Sequence, residues 1–148
     1  MANEIFIEQI QSAYRSISLN TENITQEESL VFPQPGGNCM NWMLGHILEY
    51  RNRVITMLKH QPLWNEGEIN CYRRRSNAIA EKDNFLQWQR LLNYLNHTQE
   101  LLMKVLKEEE ITDAEQIKSL TRFCFHEAYH AGQIGLLRRV LGKQGQIK

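Results

Sequence analysis

Phe123-Cys124-Phe125-His126-Glu127-Ala128-Tyr129-His130-Ala131-Gly132-Gln133-Ile134-Gly135-Leu136-Leu137 is the stretch from which the rest of the chain can be read. Phe123, His126, His130, Gln133/Ile134, Leu137 and Leu141 recur at spacings of three and four, the period of a helix and not of a strand. A capping box at Thr112-x-x-Glu115 opens this helix, and Gly142, just after Arg138 and Arg139, closes it near Leu141. Two histidines four residues apart stand one turn above each other, so both rings can reach one metal ion at about 2.0–2.1 Å if a third ligand arrives from elsewhere.

The string His126-Glu127-Ala128-Tyr129-His130 is literally the His-Glu-x-x-His of zinc proteases, where the glutamate is general base and a third ligand follows downstream. From Ala131 to Lys148 there is no histidine, aspartate, glutamate or cysteine, which argues against a protease. The third ligand has to come from upstream. His46, in Asn41-Trp42-Met43-Leu44-Gly45-His46, is the candidate.

Three further helices are legible. The first, about Asn3 to Leu19, carries Ile5/Phe6, Gln9/Ile10, Ala13 and Ile17 on one face. A polar connection from Asn20 to Gly37 ends in the breakers Phe32-Pro33-Gln34-Pro35-Gly36-Gly37. Asn38 then reads as a cap for the second helix, about Cys39 to Lys59, with Met43, His46, Ile47, Tyr50, Val54 and Met57/Leu58 facing inward. A connection from His60 to Asp83 is long for an unstructured link, so it is expected to cover one end of the fold or part of a pocket. The third helix, about Asn84 to Lys107, buries Trp88, Leu91/Leu92, Leu95, Gln99, Leu102 and Val105/Leu106, leaving His97 toward water. The expected architecture is an all-α four-helix bundle, one domain over residues 1–148. The long second connection suits parallel second and third helices, and the short link after the third demands a hairpin, giving up-down-down-up. Helices two and four are then antiparallel, which brings His46 to the height of His130.

At 148 residues and 42% hydrophobic content, the chain can bury a core without disulfides or metal, so a metal would be functional. Seventeen basic residues balance 17 acidic ones, which leaves no broad footprint for nucleic acid or an anionic membrane. Cys39, Cys71 and Cys124 are odd in number and lack Cys-x-x-Cys spacing. With no signal peptide and no apolar run of about 18 residues, a reducing cytoplasm is the expected compartment.

The two motifs, Asn41-Trp42-Met43-Leu44-Gly45-His46 and His126-Glu127-Ala128-Tyr129-His130-Ala131-Gly132-Gln133-Ile134 continuing into Leu136-Leu137-Arg138-Arg139, together resemble the DinB-like superfamily, of the damage-inducible or YfiT-like type. The likeness spans nearly the whole chain in helix order and loop length. It implies a four-helix bundle binding a divalent ion, of zinc or nickel type, through His46, His126 and His130, with open positions for water or substrate, and frequently a homodimer. Members with known activities include S-transferases and isomerases using low-molecular-weight thiols such as bacillithiol or mycothiol, and metal-dependent hydrolases acting on small-molecule substrates.

Three imidazoles and an open position would lower the pKa of a bound water toward about 7, or hold a substrate thiol as its thiolate. The alternative is a trio of hydrogen-bonded core histidines without metal, and a module that binds without chemistry. Glu127, about 100° round the helix from His126, either grazes the pocket rim as a proton acceptor or faces a neighbouring helix. Tyr129 and Tyr50 are candidate hydrogen-bond donors to substrate, or packing residues. Gln133, Glu49 and Asn41 lie within a turn of a ligand and are candidates to accept the ligands' other N–H groups. Arg73-Arg74-Arg75 offers a clamp for an anionic substrate or thiol cofactor, or three solvated arginines. Cys39 and Cys124 read as small buried side chains. Gly45, Gly132 and Gly135, unfavourable inside helices, point to close approaches, a dimer seam along the fourth helix among them.

Overall fold

The computed structural model describes residues 2–146, and among these it is helical with no strand. In chain order the elements are α1 (Ala2–Thr21), α2 (Gln26–Ser29), α3 (Met40–Met57), α4 (Glu66–Ile69), a 3-10 turn (Asn70–Tyr72), α5 (Ala78–Glu81), a second 3-10 turn (Lys82–Asn84), α6 (Trp88–Glu108) and α7 (Ala114–Val140). The four long helices pack in a ring of contacts, α1 against α7 and α6, and α3 against α7 and α6.

Side chains show which ends meet. Asn3 Nδ2 donates to Leu106 O at 2.8 Å, so the start of α1 lies beside the end of α6. Arg138 donates to Glu22 O at 2.7 Å, which joins the ends of α1 and α7. Gln116 Nε2 reaches Met57 O at 3.5 Å, placing the start of α7 at the end of α3. Asn41 Nδ2 donates to Leu86 O at 3.0 Å, so α3 and α6 begin together.

Several boundaries differ from the sequence expectation. The third long helix starts at Trp88 and not at Asn84: Phe85 is extended, its ring stacks on Tyr72 at 5.1 Å, and Leu86 N donates to Tyr72 Oη. These contacts hold the segment out of helix. Asp113, not Thr112, caps α7, accepting from Gln116 N at 2.9 Å, where a carboxylate also meets the positive end of the helix dipole. Cys39, not Asn38, precedes α3, with no side-chain cap. A capping box, Thr25 with Glu28, starts α2 inside the first connection.

The core falls into two clusters. One gathers Leu44, Ile47, Leu48, Trp64, Tyr72, Leu91, Leu95, Ile134 and Leu137; the other gathers Phe6, Ile10, Val54, Ile55, Leu102, Leu106, Leu120 and Phe123. Between them along α3, α6 and α7 sits a polar layer. Arg51, wholly buried, donates to both carboxylate oxygens of Glu127, to Thr98 Oγ1 at 3.1 Å and Leu95 O at 3.3 Å, and to Gln99 Oε1 at 3.0 Å. The long second connection belongs to the first cluster through Trp64, Ile69, Cys71 and Tyr72, and Asn52 pins it by donating to Trp64 O and accepting from Leu63 N.

Candidate metal centre

α3 and α7 meet at three imidazoles. His46 is buried in the second turn of α3, while His126 and His130 are half-buried on α7. One ring nitrogen from each lies within 4.8 Å of the others, so the three can hold a metal ion. His126 Nε2 faces His46 Nε2 at 3.1 Å. The ring centroids of His46 and His130 are 5.0 Å apart, and those of His126 and His130 are 4.4 Å apart.

Two of the rings are held in one tautomer. His46 Nδ1 is 2.8 Å from Tyr72 O, and a carbonyl oxygen only accepts, so Nδ1 carries the proton and Nε2 keeps its lone pair. His130 Nδ1 is 2.6 Å from Gln133 Oε1, which sets the same tautomer. That arrangement suits a metal ligand, whose other N–H is usually given to a carbonyl or amide. His126 is positioned by rings: Tyr50 stacks on it at 4.1 Å, and its buried Nδ1 has no partner among the described residues. Trp42 stacks on His46 at 4.7 Å, fixed by indole N–H donation to Cys71 O and Ser76 Oγ.

Burial holds all three imidazoles neutral. It pushes His126 down to about 3, helped by the neighbouring His130 and His46. His46 and His130 are also lowered chiefly by burial, against the opposing hydrogen bonds to Tyr72 and Gln133. Three neutral imidazoles with a ring nitrogen of each gathered within 4.8 Å are a donor set suited to a divalent ion.

The histidines open onto a cavity of about 760 Å³, walled by Trp42, Tyr50, Phe125 and Tyr129 and lined by Arg53, Arg74 and Arg122. The chain matches no protein-family model and no curated protein.

Glu127 is not at the rim of this cavity. Of the two readings of its position, the pocket rim and a neighbouring helix, the structure shows the second: Glu127 is wholly buried and held by Arg51 of α3. The reason is the rotation of α7. Its buried arc runs through Leu120, Phe123, Glu127, Ile134 and Leu137, so Glu127 points into the core and the histidines sit at the arc's edge, not within it as the spacing predicted. Tyr129 does line the cavity, 56% exposed, with its ring edge-on to His130 at 5.1 Å.

Of the three candidate supports, Gln133 contacts a ligand directly. Asn41 acts one step back, accepting from Tyr72 Oη at 3.0 Å and so steadying the residue whose carbonyl receives His46. Glu49 instead takes Arg53 Nε at 2.5 Å and has its second oxygen buried without a partner among the described residues. In the arginine run only Arg74 lines the histidine cavity; Arg73 lines a neighbouring one. The cysteines are free and buried, and burial pushes the Cys124 thiol up to about 12 and that of Cys71 to about 11. His97 is exposed.

Arg51, Tyr72 and Arg122 were not singled out from the sequence. Arg51 fills the slot in the series Leu44, Ile47/Leu48, Val54/Ile55, Leu58, a legible sign that a charge is buried on α3. Arg122 stands four residues before His126, hence on the same face. Tyr72 contributes a backbone carbonyl, for which no side-chain signal exists.

Proposed function

We propose that His46, His126 and His130 hold a divalent ion, zinc or nickel, and that the protein is a metal-dependent enzyme acting on a small molecule by S-transfer or hydrolysis. The observation carrying this is the convergence of three neutral imidazoles at the base of a cavity. When bound, such an ion supplies Lewis acidity, lowering the pKa of a water or low-molecular-weight thiol that reaches it. Tyr72 O and Gln133 Oε1 keep two ligand lone pairs aimed inward, so little reorganisation is needed for binding. Tyr129 stands over His130 with its hydroxyl free to donate to substrate, and the Trp42, Tyr50 and Phe125 rings supply apolar walls.

The fold is read as an up-down-down-up four-helix bundle of DinB-like type, supported by the end-to-end contacts of the long helices and by the order of the three histidines. A homodimer is supported by a solvent-facing stripe on α7: Phe125, Tyr129, Leu136 and Val140 are 49–74% exposed and fall within about 60° of one another at 100° per residue. Gly132 lies in that stripe, and a Cβ on it would meet nothing within 4 Å, which leaves room for another helix. No described helix is long and apolar enough to cross a membrane, and three free cysteines suit a reducing compartment. The cytoplasm is the proposed location.

The test is elemental analysis of protein purified without affinity tag or chelator, beside the His126→Ala/His130→Ala variant. Stoichiometric zinc or nickel lost in the variant, with chelator-sensitive turnover of thiol and electrophile pairs, is the expected result. No metal and no uptake would overturn the reading, as would a His46→Ala protein with full metal and turnover. Metal without turnover would leave a binding module.

A further inference from the structure

The whole chain is neutral, yet the cavity over the histidines is not. Three arginines line it, each from a different segment: Arg53 on α3, Arg74 in the second connection and Arg122 on α7. Among the described residues no carboxylate lines it, although acids equal bases in the chain as a whole, 17 to 17.

Each arginine is tied to the centre by position. The guanidinium of Arg53 lies 5.6 Å over the Tyr50 ring, which itself stacks on His126, and Glu49 grips only its Nε. Arg53 is thus held in place with its terminal amino groups unclaimed among the described residues. Arg74 follows two residues after Tyr72, the residue that receives His46 Nδ1. Arg122 is one turn, about 6 Å along the axis, before His126. Among the described residues neither Arg74 nor Arg122 has an ion-pair partner.

We infer that this centre acts on a small organic anion, a molecule with a carboxylate or phosphate group taken by Arg53, Arg74 and Arg122 and an apolar body lying between the Trp42, Tyr50 and Phe125 rings. The inference deepens the metal-centre reading and rests on it for what the anion is presented to. Guanidinium groups match both anions through paired N–H donors. All three guanidinium groups are exposed at the cavity wall, where an incoming anion can reach them. A concave apolar wall with a few converging polar groups is the form of a small-ligand site, whereas binding to a polymeric anion needs an extended basic face that a neutral chain lacks.

The experiment is calorimetric titration of the metal-free and zinc-loaded protein with phenyl phosphate, with phenylacetate, and with neutral 2-phenylethanol. Both anions are expected to saturate at one per chain and to bind about tenfold or more tighter than the alcohol, the scale of charge-assisted hydrogen bonds. The stronger of the two identifies the anion as phosphate or carboxylate. Arg74→Gln and Arg122→Gln, both exposed, should each weaken the anions about tenfold, with Arg15→Gln on α1 without effect. Arg53 is left intact, since its loss would strand the buried Glu49 carboxylate.

Equal binding of alcohol and anions, or anion binding indifferent to Arg74 and Arg122, overturns the inference even if zinc is taken up stoichiometrically. Binding of only a long polyanion such as heparin, with neither small anion saturating, also overturns it. Arginine-dependent anion binding in a protein that takes up no zinc or nickel overturns the metal reading and leaves the anion site standing.

Discussion

The ring of Tyr72 fills the place where a side chain on Gly45 would stand. A Cβ there would lie 2.5 Å from Tyr72 Cγ and closer still to Cδ1 and Cε1. Through this approach the carbonyl of Tyr72 comes within reach of His46, the next residue along α3. Gly45→Ala is therefore expected to cost about 1–3 kcal/mol, the range for overpacking a tight core. It should also weaken metal binding by moving the acceptor from His46 Nδ1. Urea denaturation and zinc stoichiometry check both effects. A stabilised protein, as the helix propensity of alanine alone would give, would show that the ring yields freely.

Among the described residues the Gln133 side chain hydrogen-bonds to His130 alone. Gln133→Leu removes the acceptor at His130 Nδ1 while leaving the ring in place, and the expected loss is about 10–100-fold in metal affinity. Competition with a chromophoric chelator measures it. Unchanged affinity would mean that the contact to Met43 Sδ, 3.1 Å from the same nitrogen, suffices to orient the ring.

Glu127 and Arg51 stand or fall together. Glu127→Gln leaves the buried guanidinium without its counter-charge and is expected to cost about 3–5 kcal/mol. An Arg51→Met/Glu127→Leu variant should lose less than either single change, because no buried charge remains. Folded Glu127→Gln protein should keep its zinc. A variant of undiminished stability that had lost only turnover would instead put Glu127 in the chemistry.

Acid should loosen the metal-free protein in a defined window. His126 titrates near 3 in the folded chain against an ordinary value of 6.5, so between these the unfolded chain holds a proton that the folded chain does not. The contribution is complete above pH 6.5 and is lost as pH falls toward 3, and His46 and His130, lowered likewise, act in the same direction. Urea midpoints measured from pH 8 to 4 should be flat and then decline, less steeply in His126→Gln. In the loaded protein the same protons compete with the ion, and metal is released on acidification.

The α7 stripe predicts a mass in solution twice that of the chain. Leu136→Glu/Val140→Glu changes two exposed residues and should give folded monomers by light scattering. A monomeric parent protein would exclude this seam.

Much of this was legible along the chain. Residues three and four apart share a helix face whatever surrounds the helix, so the four long helices, the adjacency of His126 and His130 and the outward aspect of His97 followed from spacing. Spacing cannot say which way a helix is turned when apolar residues surround it. On α7, Phe123, Ile134 and Leu137 face inward while Phe125, Leu136 and Val140 face out. The rotation that turns Glu127 inward meets Arg51 there, a partner 76 positions away that no spacing along α7 reveals. The same limit applies to the histidines' support. His46 finds its acceptor on a backbone carbonyl 26 residues away, and every residue carries such a group. Which carbonyl arrives depends on how the second connection packs over Gly45, and only the assembled core determines that.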